Sequence, residues 1–163
     1  MADKLKILMK LKNAMVRFVS SIIAQYPEDQ EFIFVKTFIE NHMPIEEIMG
    51  RFIAEILIDR KNVERRYDGF FHKHDGMNKK GYGEDWELSN NLYRKIKSIY
   101  LSEDITDDQR ESCWKWFELF IKIADAYYIK FGEVKGWEVD HTHPVFAELD
   151  KKRSEYRHSN KIK

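Results

Sequence analysis

The sequence feature that most constrains the fold is the stretch from Pro44 to Phe71, PIEEIMGRFIAEILIDRKNVERRYDGFF. In its first part the apolar residues recur with alternating gaps of three and one, which places them on one face of a helix. They are Ile45, Ile48, Met49, Phe52, Ile53, Ile56 and Leu57. Gly50 lies inside this pattern, and we expect a neighbouring helix to approach closely there. The stretch predicts a central helix with a bend near Asp59, covered by the other segments.

The segments on either side of this stretch also have helical patterns. Residues 3–25 predict a basic amphipathic helix, and we include Leu5 and Met9 in its apolar stripe. Such a helix can lie on a membrane or fill a partner's groove, but a lysine-rich solvated face on a packed helix is commoner. A second helix follows Pro27, with apolar residues Phe32, Ile33, Val35, Phe38 and Ile39.

The composition fits a helical domain of ordinary size. The chain has 163 residues, of which 43% are hydrophobic, and only 7 Gly and 3 Pro leave few turn points. We therefore predict an all-α, single-domain bundle of about five to six helices. Residues 1–132 would form the bundle, with a long loop at 72–85 that divides a front half from a back half. Residues 133–163 would form an irregular basic segment with a short helix after Pro144.

The back half contains the clearest helix boundary. Thr106-Asp107-Asp108-Gln109 fits a capping box, and the helix that follows should end at Gly132. Apolar residues cover more than half of its circumference, which predicts contacts on two sides. One side would be the core and the other a second layer or a partner chain. We therefore assign a protein interface to four aromatic residues: Trp114, Trp116, Phe120 and Tyr127.

Charge gives one alternative function. Lys plus Arg equals Asp plus Glu at 28 each, so the chain has no overall basic signature for nucleic acid. From Asp150 onward, however, six Lys or Arg stand against two acids, a local net charge of +4. The alternative is a nucleic-acid accessory protein that uses its basic ends, including Lys151, Lys152, Arg153 and Arg157. Terminal charge of this kind is more often a solvated tail.

The histidines give a second alternative. His72 and His74 form one His-x-His pair, and His141 and His143 form another. Neutral imidazole suits Zn²⁺, and four such ligands from two loops could complete a tetrahedral site. No cysteine accompanies them, and the spacing matches no specific zinc motif. We otherwise expect no cofactor. Because no nucleophile motif or phosphate-binding glycine loop is present, we expect the protein not to be an enzyme.

The single cysteine and the charge pattern indicate the compartment. Cys113 excludes an internal disulfide and suits a reducing, intracellular location. It stands beside Trp114 in a helical pattern, which favours a small buried side chain over a nucleophile. No uncharged run of eighteen residues exists, so we expect no membrane span.

Two blocks of the sequence carry a family resemblance. Residues 63–71, VERRYDGFF, and residues 114–117, WKWF, followed by Leu119, Ile123, Ala124 and Tyr127, resemble two blocks of short helical proteins of nucleocytoplasmic large DNA viruses. The resemblance covers roughly residues 35–131, and Asp68 stands one place nearer the Phe pair than in the family. It implies a virus-encoded, non-enzymatic protein of the virion or the viral factory in the host cytoplasm, with no catalytic residues to transfer.

Together these observations predict a protein-interaction or structural protein. Its partners would be other proteins or further copies of the same chain, bound through the aromatic face of the back-half helix.

Overall fold

The computed structural model describes residues 2–70 and 94–162, and these residues are mostly helical. The helices are α1 (Ala2–Gln25), α2 (Gln30–Asn41), α3 (Ile45–Arg51), α4 (Arg60–Glu64), α5 (Asp107–Phe131) and α6 (Pro144–Ile162). Residues 94–100 are helical as well. The all-α prediction is confirmed. The loop predicted at 72–85 lies outside the described residues.

The central stretch changes its winding instead of forming one long helix. After α3 the chain makes a π-helical turn at Phe52–Ile56 and a 3₁₀ turn at Leu57–Asp59, and then enters α4. The change thus starts well before the bend expected at Asp59. The apolar face is nevertheless buried as predicted, with Met49, Ile53 and Leu57 fully enclosed. The longest helices are α1, with 24 residues, and α5, with 25.

The chain divides into two compact units. The first unit consists of Met1–Ala14, Pro44–Lys61 and Glu118–Lys163, and the second of Met15–Met43 and Asn62–Phe117. Helices α1 and α5 each contribute residues to both units. The C-terminal segment, which the sequence sets apart from the bundle, belongs with the start of the chain in the first unit.

In the first unit α6 packs against the 3₁₀ turn and against the end of α5. The rings of Tyr128 and Phe146 lie 5.5 Å apart, and Arg153 donates to the carbonyl of Ile129 at 3.3 Å. Helix α5 ends where predicted, because Gly132 takes a φ of +78° and donates to the Tyr128 carbonyl at 2.8 Å. The chain is then irregular up to His143, and α6 runs for 19 residues, longer than the short helix expected.

The second unit has an aromatic core beneath the start of α5. Phe70 lies 6.0 Å from Trp114 and 5.5 Å from Phe117, measured between ring centroids. The capping box is confirmed: the Thr106 hydroxyl accepts from the Gln109 N–H at 3.1 Å, and the Gln109 side chain accepts from the Thr106 N–H at 2.8 Å. The start of α5 is therefore fixed by local hydrogen bonds as well as by burial.

Gly50 is in close contact with two side chains. A Cβ atom added there would lie 2.7 Å from Cδ1 of Trp137 and 2.9 Å from Cβ of Val134. These residues flank a turn closed by an isolated antiparallel bridge. The close approach expected from the sequence is present, but side chains of a turn make it, and not a neighbouring helix.

We expect Gly50→Ala to lower the free energy of unfolding by about 1–3 kcal/mol, because the new methyl group overpacks the site. Helix propensity alone would raise it by about 1 kcal/mol. Urea unfolding monitored by circular dichroism measures the change. The same substitution made in a Trp137→Ala chain is the control and should cost less there. A higher unfolding midpoint for Gly50→Ala alone would contradict this packing.

Candidate interaction surfaces

Three of the four aromatic residues assigned to an interface are buried in the chain itself. Trp114 and Tyr127 are 1% exposed and Phe120 is 3% exposed. Trp114 packs on Tyr100 at 5.3 Å, and Phe120 packs on Phe52 at 5.8 Å. The assignment of these three residues to a partner-binding face is therefore corrected: helix α5 is covered on more than one side by its own domain.

Trp116 is the member of the set that remains half-buried. Its ring centroid lies 5.7 Å from that of Phe18, and the Arg17 guanidinium lies 5.8 Å from the ring centroid on its face. This arrangement is a cation–π contact at the surface of the second unit. Trp116 is thus held in place by α1, and only part of its surface is open to a partner.

A different apolar surface lies on α2. Phe34 is 60% exposed and Ile33 is 44% exposed, whereas Phe32 and Val35 beside them are buried. At 3.6 residues per turn, Glu40 projects close to the direction of Ile33, and Glu31 projects on the far side of Phe34. We call these four residues, Glu31, Ile33, Phe34 and Glu40, the α2 face. It presents an apolar pair between two carboxylates.

The opposite charge pattern occurs on the outer side of α1. Leu5 is 59% exposed and Met9 is 37% exposed, one turn apart, so both lie outside the buried stripe that the sequence assigns to them. Lys6 and Lys10 lie on one side of this pair and Lys12 on the other. These five residues form what we call the α1 face. Within the described residues, no ion pair involves Lys6, Lys10 or Lys12.

The sequence contains a pattern that indicates exposed apolar residues on α2. Phe32, Ile33, Phe34 and Val35 are four consecutive apolar residues, which a helix spreads around its whole circumference. Since only one side of a surface helix faces the core, part of such a run must face solvent. Which part does so depends on the packing of α2, which the sequence does not give.

The predicted nucleic-acid residues on α6 differ in their surroundings. Lys151 and Arg157 are exposed, and Lys152 lies 3.6 Å from Glu148. Arg153 packs over Gly132 and donates to the Ile129 carbonyl, so its positive charge stabilises the C-terminal end of α5. The structure therefore leaves two of the four as open cations of the kind that contact phosphate. The nucleic-acid function stays a prediction.

The structure describes half of the predicted metal site, since His72 and His74 lie outside the described residues. His143 Nδ1 accepts from the Val145 N–H at 3.2 Å and thereby caps α6. His141 Nδ1 lies 2.7 Å from Asp150 Oδ2. Within residues 2–70 and 94–162, no three His, Cys, Asp or Glu side chains are arranged so that they could hold a metal ion. The zinc site stays a prediction.

His141 belongs to a hydrogen-bonded cluster that joins α5 to α6. Tyr128 donates to Asp150 at 2.5 Å, and Glu133 lies 3.6 Å from His141 Nε2. The hydrogen bond with Asp150 raises the pKa of His141 above its usual value. Burial, followed by the hydrogen bond to Asp150, raises the pKa of Tyr128. The neutral Tyr128 and the acid-paired His141 therefore form a polar contact that attaches α6 to the end of α5.

The second unit also contains a small cleft. Its volume is about 50 Å³, whereas a cavity of about 150 Å³ is needed to hold benzene. It is lined by Phe18, Ile22, Ile96, Tyr100, Cys113 and Trp116, among others. It suits the end of one side chain or a few waters, and it is too small for the drug-sized ligands that occupy pockets above about 300 Å³.

Comparison with known proteins finds no match to this chain among family models, curated proteins or solved structures. The helices in the part of the chain that the structure describes are all too short or too polar to cross a membrane.

We expect the Cys113 thiol to be unreactive in the folded protein. It is 7% exposed, and burial raises its pKa to about 12. At a pH of about 8 its thiolate fraction is then about 1,000-fold below that of a free cysteine. Reaction with a disulfide-based thiol reagent should be slower by at least about tenfold, because a thiolate of higher pKa is more nucleophilic and offsets part of this loss. The control is the same reaction in urea, which should be fast. Equal rates in both would contradict the burial.

We expect His141 to stabilise the protein more at low pH than at high pH. Its folded-state pKa is raised, so the stabilisation is fully present below the unfolded value of about 6.5 and is lost as the pH rises through the folded value. For a pair this exposed the effect is about 0.2–1 kcal/mol. The difference in melting temperature between wild type and His141→Gln measures it across that range.

The partner residue provides the control for this prediction. In an Asp150→Asn chain, replacement of His141 should have an effect that no longer depends strongly on pH, because the main cause of the raised pKa is gone. A wild-type advantage that grows as the pH rises would contradict the ion pair.

Proposed function

We propose that this chain is a non-enzymatic interaction or structural protein that binds a protein partner through the α2 face. The observation that carries the proposal is the exposure of Phe34 at 60%, next to Ile33 at 44%. Contiguous exposed apolar surface rimmed by polar residues marks binding sites, whereas single exposed apolar residues are ordinary. We therefore assign the binding surface to α2 and not to the aromatic face of α5.

The charges around the α2 face indicate which kind of partner surface would be complementary to it. Residues 28–41 contain four acidic residues and one lysine, a net charge of −3. Glu31 is partly neutralised by Lys95 at 2.7 Å, and Glu40 lies 3.9 Å from Lys36. Both carboxylates are still half exposed or nearly so. A partner with two apolar side chains flanked by basic residues would be complementary to this surface.

The place of action that we propose is the virion or the viral factory of a large DNA virus. Support comes from the resemblance of residues 63–71 and 114–127 to proteins of such viruses. The two blocks meet in the core of the second unit, where Phe70 contacts Trp114 and Phe117. These residues of the resemblance pack in the core, which supports a structural role.

A designed probe tests the α2 face directly. We expect a labelled helical peptide of Leu and Lys, with Leu at positions i and i+4 between lysines, to bind the full chain. The affinity should be weak, roughly 10–500 µM, because the contact is small. Fluorescence anisotropy measures it. Phe34→Ala should weaken binding about tenfold, since this side chain is the main apolar anchor.

Two controls make this experiment specific. Leu119 is 36% exposed on α5 and lies outside the α2 face, so Leu119→Ala should leave binding unchanged. A peptide with Glu in place of Lys should bind much more weakly, because like charges would then meet. Equal binding of both peptides, or equal binding to wild type and Phe34→Ala, would rule out this surface.

A further inference from the structure

The α1 face and the α2 face have matching apolar pairs and opposite charges. We propose that the α1 face of one copy of this chain binds the α2 face of another copy. This inference rests on the proposed function and names the partner of the α2 face: a second copy of the same protein. The contact brings Leu5 and Met9 of one copy against Ile33 and Phe34 of the other.

The apolar parts of the two faces are similar in size. Leu5 and Met9 lie one helical turn apart, about 6 Å along the axis. Ile33 and Phe34 are neighbours in sequence and project on either side of the midline of the exposed surface of α2. Each face thus exposes two large side chains on a single helix. Two helices that cross at these pairs can shield all four side chains from water.

The charges on the two faces favour this pairing over a pairing of like faces. Residues 2–14 contain four lysines and one aspartate, a net charge of +3, whereas residues 28–41 have a net charge of −3. Lys95 offsets part of this negative charge through its contacts with Asp29 and Glu31, both at 2.7 Å. Lys4 is already paired with Glu46 at 3.0 Å, but Lys6 and Lys10 are exposed. An α1 face set against another α1 face would bring lysines together, and two α2 faces would bring glutamates together. The mixed contact sets the lysines of one face against the carboxylates of the other.

A membrane is a poorer partner for the α1 face. The main apolar stripe of α1 faces the protein core, where Ile7, Leu8 and Leu11 are buried. The outer side offers Leu5 and Met9 without an exposed aromatic residue, and a helix that lies in a bilayer interface needs a broad apolar face. The α1 face is a narrow apolar strip between lysines. It is therefore complementary to a protein surface that has a narrow apolar strip between carboxylates.

The expected contact is weak and heterologous. Four apolar side chains cover less area than the roughly 1,200 Å² of a stable interface, so association should need high concentration. Because the two faces differ, a copy that uses one face still has the other available. The association then builds chains or rings, or a dimer in which both contacts form reciprocally. Salt should weaken it, since the charges are at the surface.

Sedimentation velocity of the full chain tests the proposal. At about 50 mM salt the weight-average mass should rise between roughly 5 and 500 µM protein, and about 500 mM salt should reduce the rise. A chain that stays monomeric over this range at low salt would overturn the proposal.

Two charge-reversed chains locate the contact. Lys6→Glu/Lys10→Glu makes the α1 face acidic, and Glu40→Lys/Asn41→Lys places two lysines at the end of α2 and removes the net negative charge of residues 28–41. The changes at Glu40 and Asn41 put positive charge in the last turn of α2, where the helix dipole favours it. Each chain alone should self-associate at least about tenfold more weakly than wild type. An equimolar mixture should regain association, because the acidic α1 face of one chain then meets the two new lysines at the end of α2 in the other.

A control with the same change in net charge accompanies the first variant. Lys115→Glu/Lys122→Glu alters two exposed lysines of α5 that belong to neither face, and it should associate like wild type. Wild-type association that both charge-reversed chains retain would overturn the proposed pair of faces. So would a mixture that stays monomeric.

The outcome for self-association can be separated from the outcome for the proposed function. If the chain is monomeric but the Leu/Lys peptide binds at Phe34, the α2 face is a binding surface for a different protein, and the self-association proposal is wrong. If neither association nor peptide binding occurs, both proposals are wrong.

Discussion

Burial of aromatic residues around α5 is the constraint on which the rest of the described structure depends. In the second unit Trp114 is enclosed, and a buried indole needs an acceptor for its N–H. Tyr100 supplies it at 2.9 Å and donates in turn to Asp68 at 2.6 Å. Burial and this bond to Asp68 raise the pKa of Tyr100 to about 12, so the phenol remains a donor. Three of the four aromatic residues that suggested an interface are therefore used by the core.

The helices were predictable because their signals are local. A capping box, a terminal glycine and an apolar repeat each involve residues within a few positions of one another, and all three are present where the sequence places them. Exposure was not predictable in the same way. Trp114 and Trp116 are two positions apart and project from nearly opposite sides of α5. The sequence shows that both sides are apolar, but only tertiary packing decides that one ring is enclosed and the other half-buried.

The winding of the central stretch shows a second limit of sequence patterns. A π turn is wider than an α-helical turn and a 3₁₀ turn is tighter, so the two in succession at Phe52–Asp59 offset each other in register. The apolar repeat therefore runs through the π turn without a visible break. Tertiary contacts accompany the change in winding: Asp59 is buried there, and the next residue, Arg60, pairs with Asp125 of α5. A contact between residues this far apart in sequence leaves no local periodicity.

The chain has no net charge overall, but opposite charges predominate on the outer sides of different helices. A net charge of zero with an isoelectric point near 7.0 argues against general nucleic-acid binding, yet α1 and α2 carry opposite charges on their outer sides. Proteins with large net charge repel one another, whereas copies of a neutral chain do not. Opposite charges on separate faces then add a directional attraction between copies. If the self-association that we propose occurs, it would be confined to high local concentrations, because each contact is small.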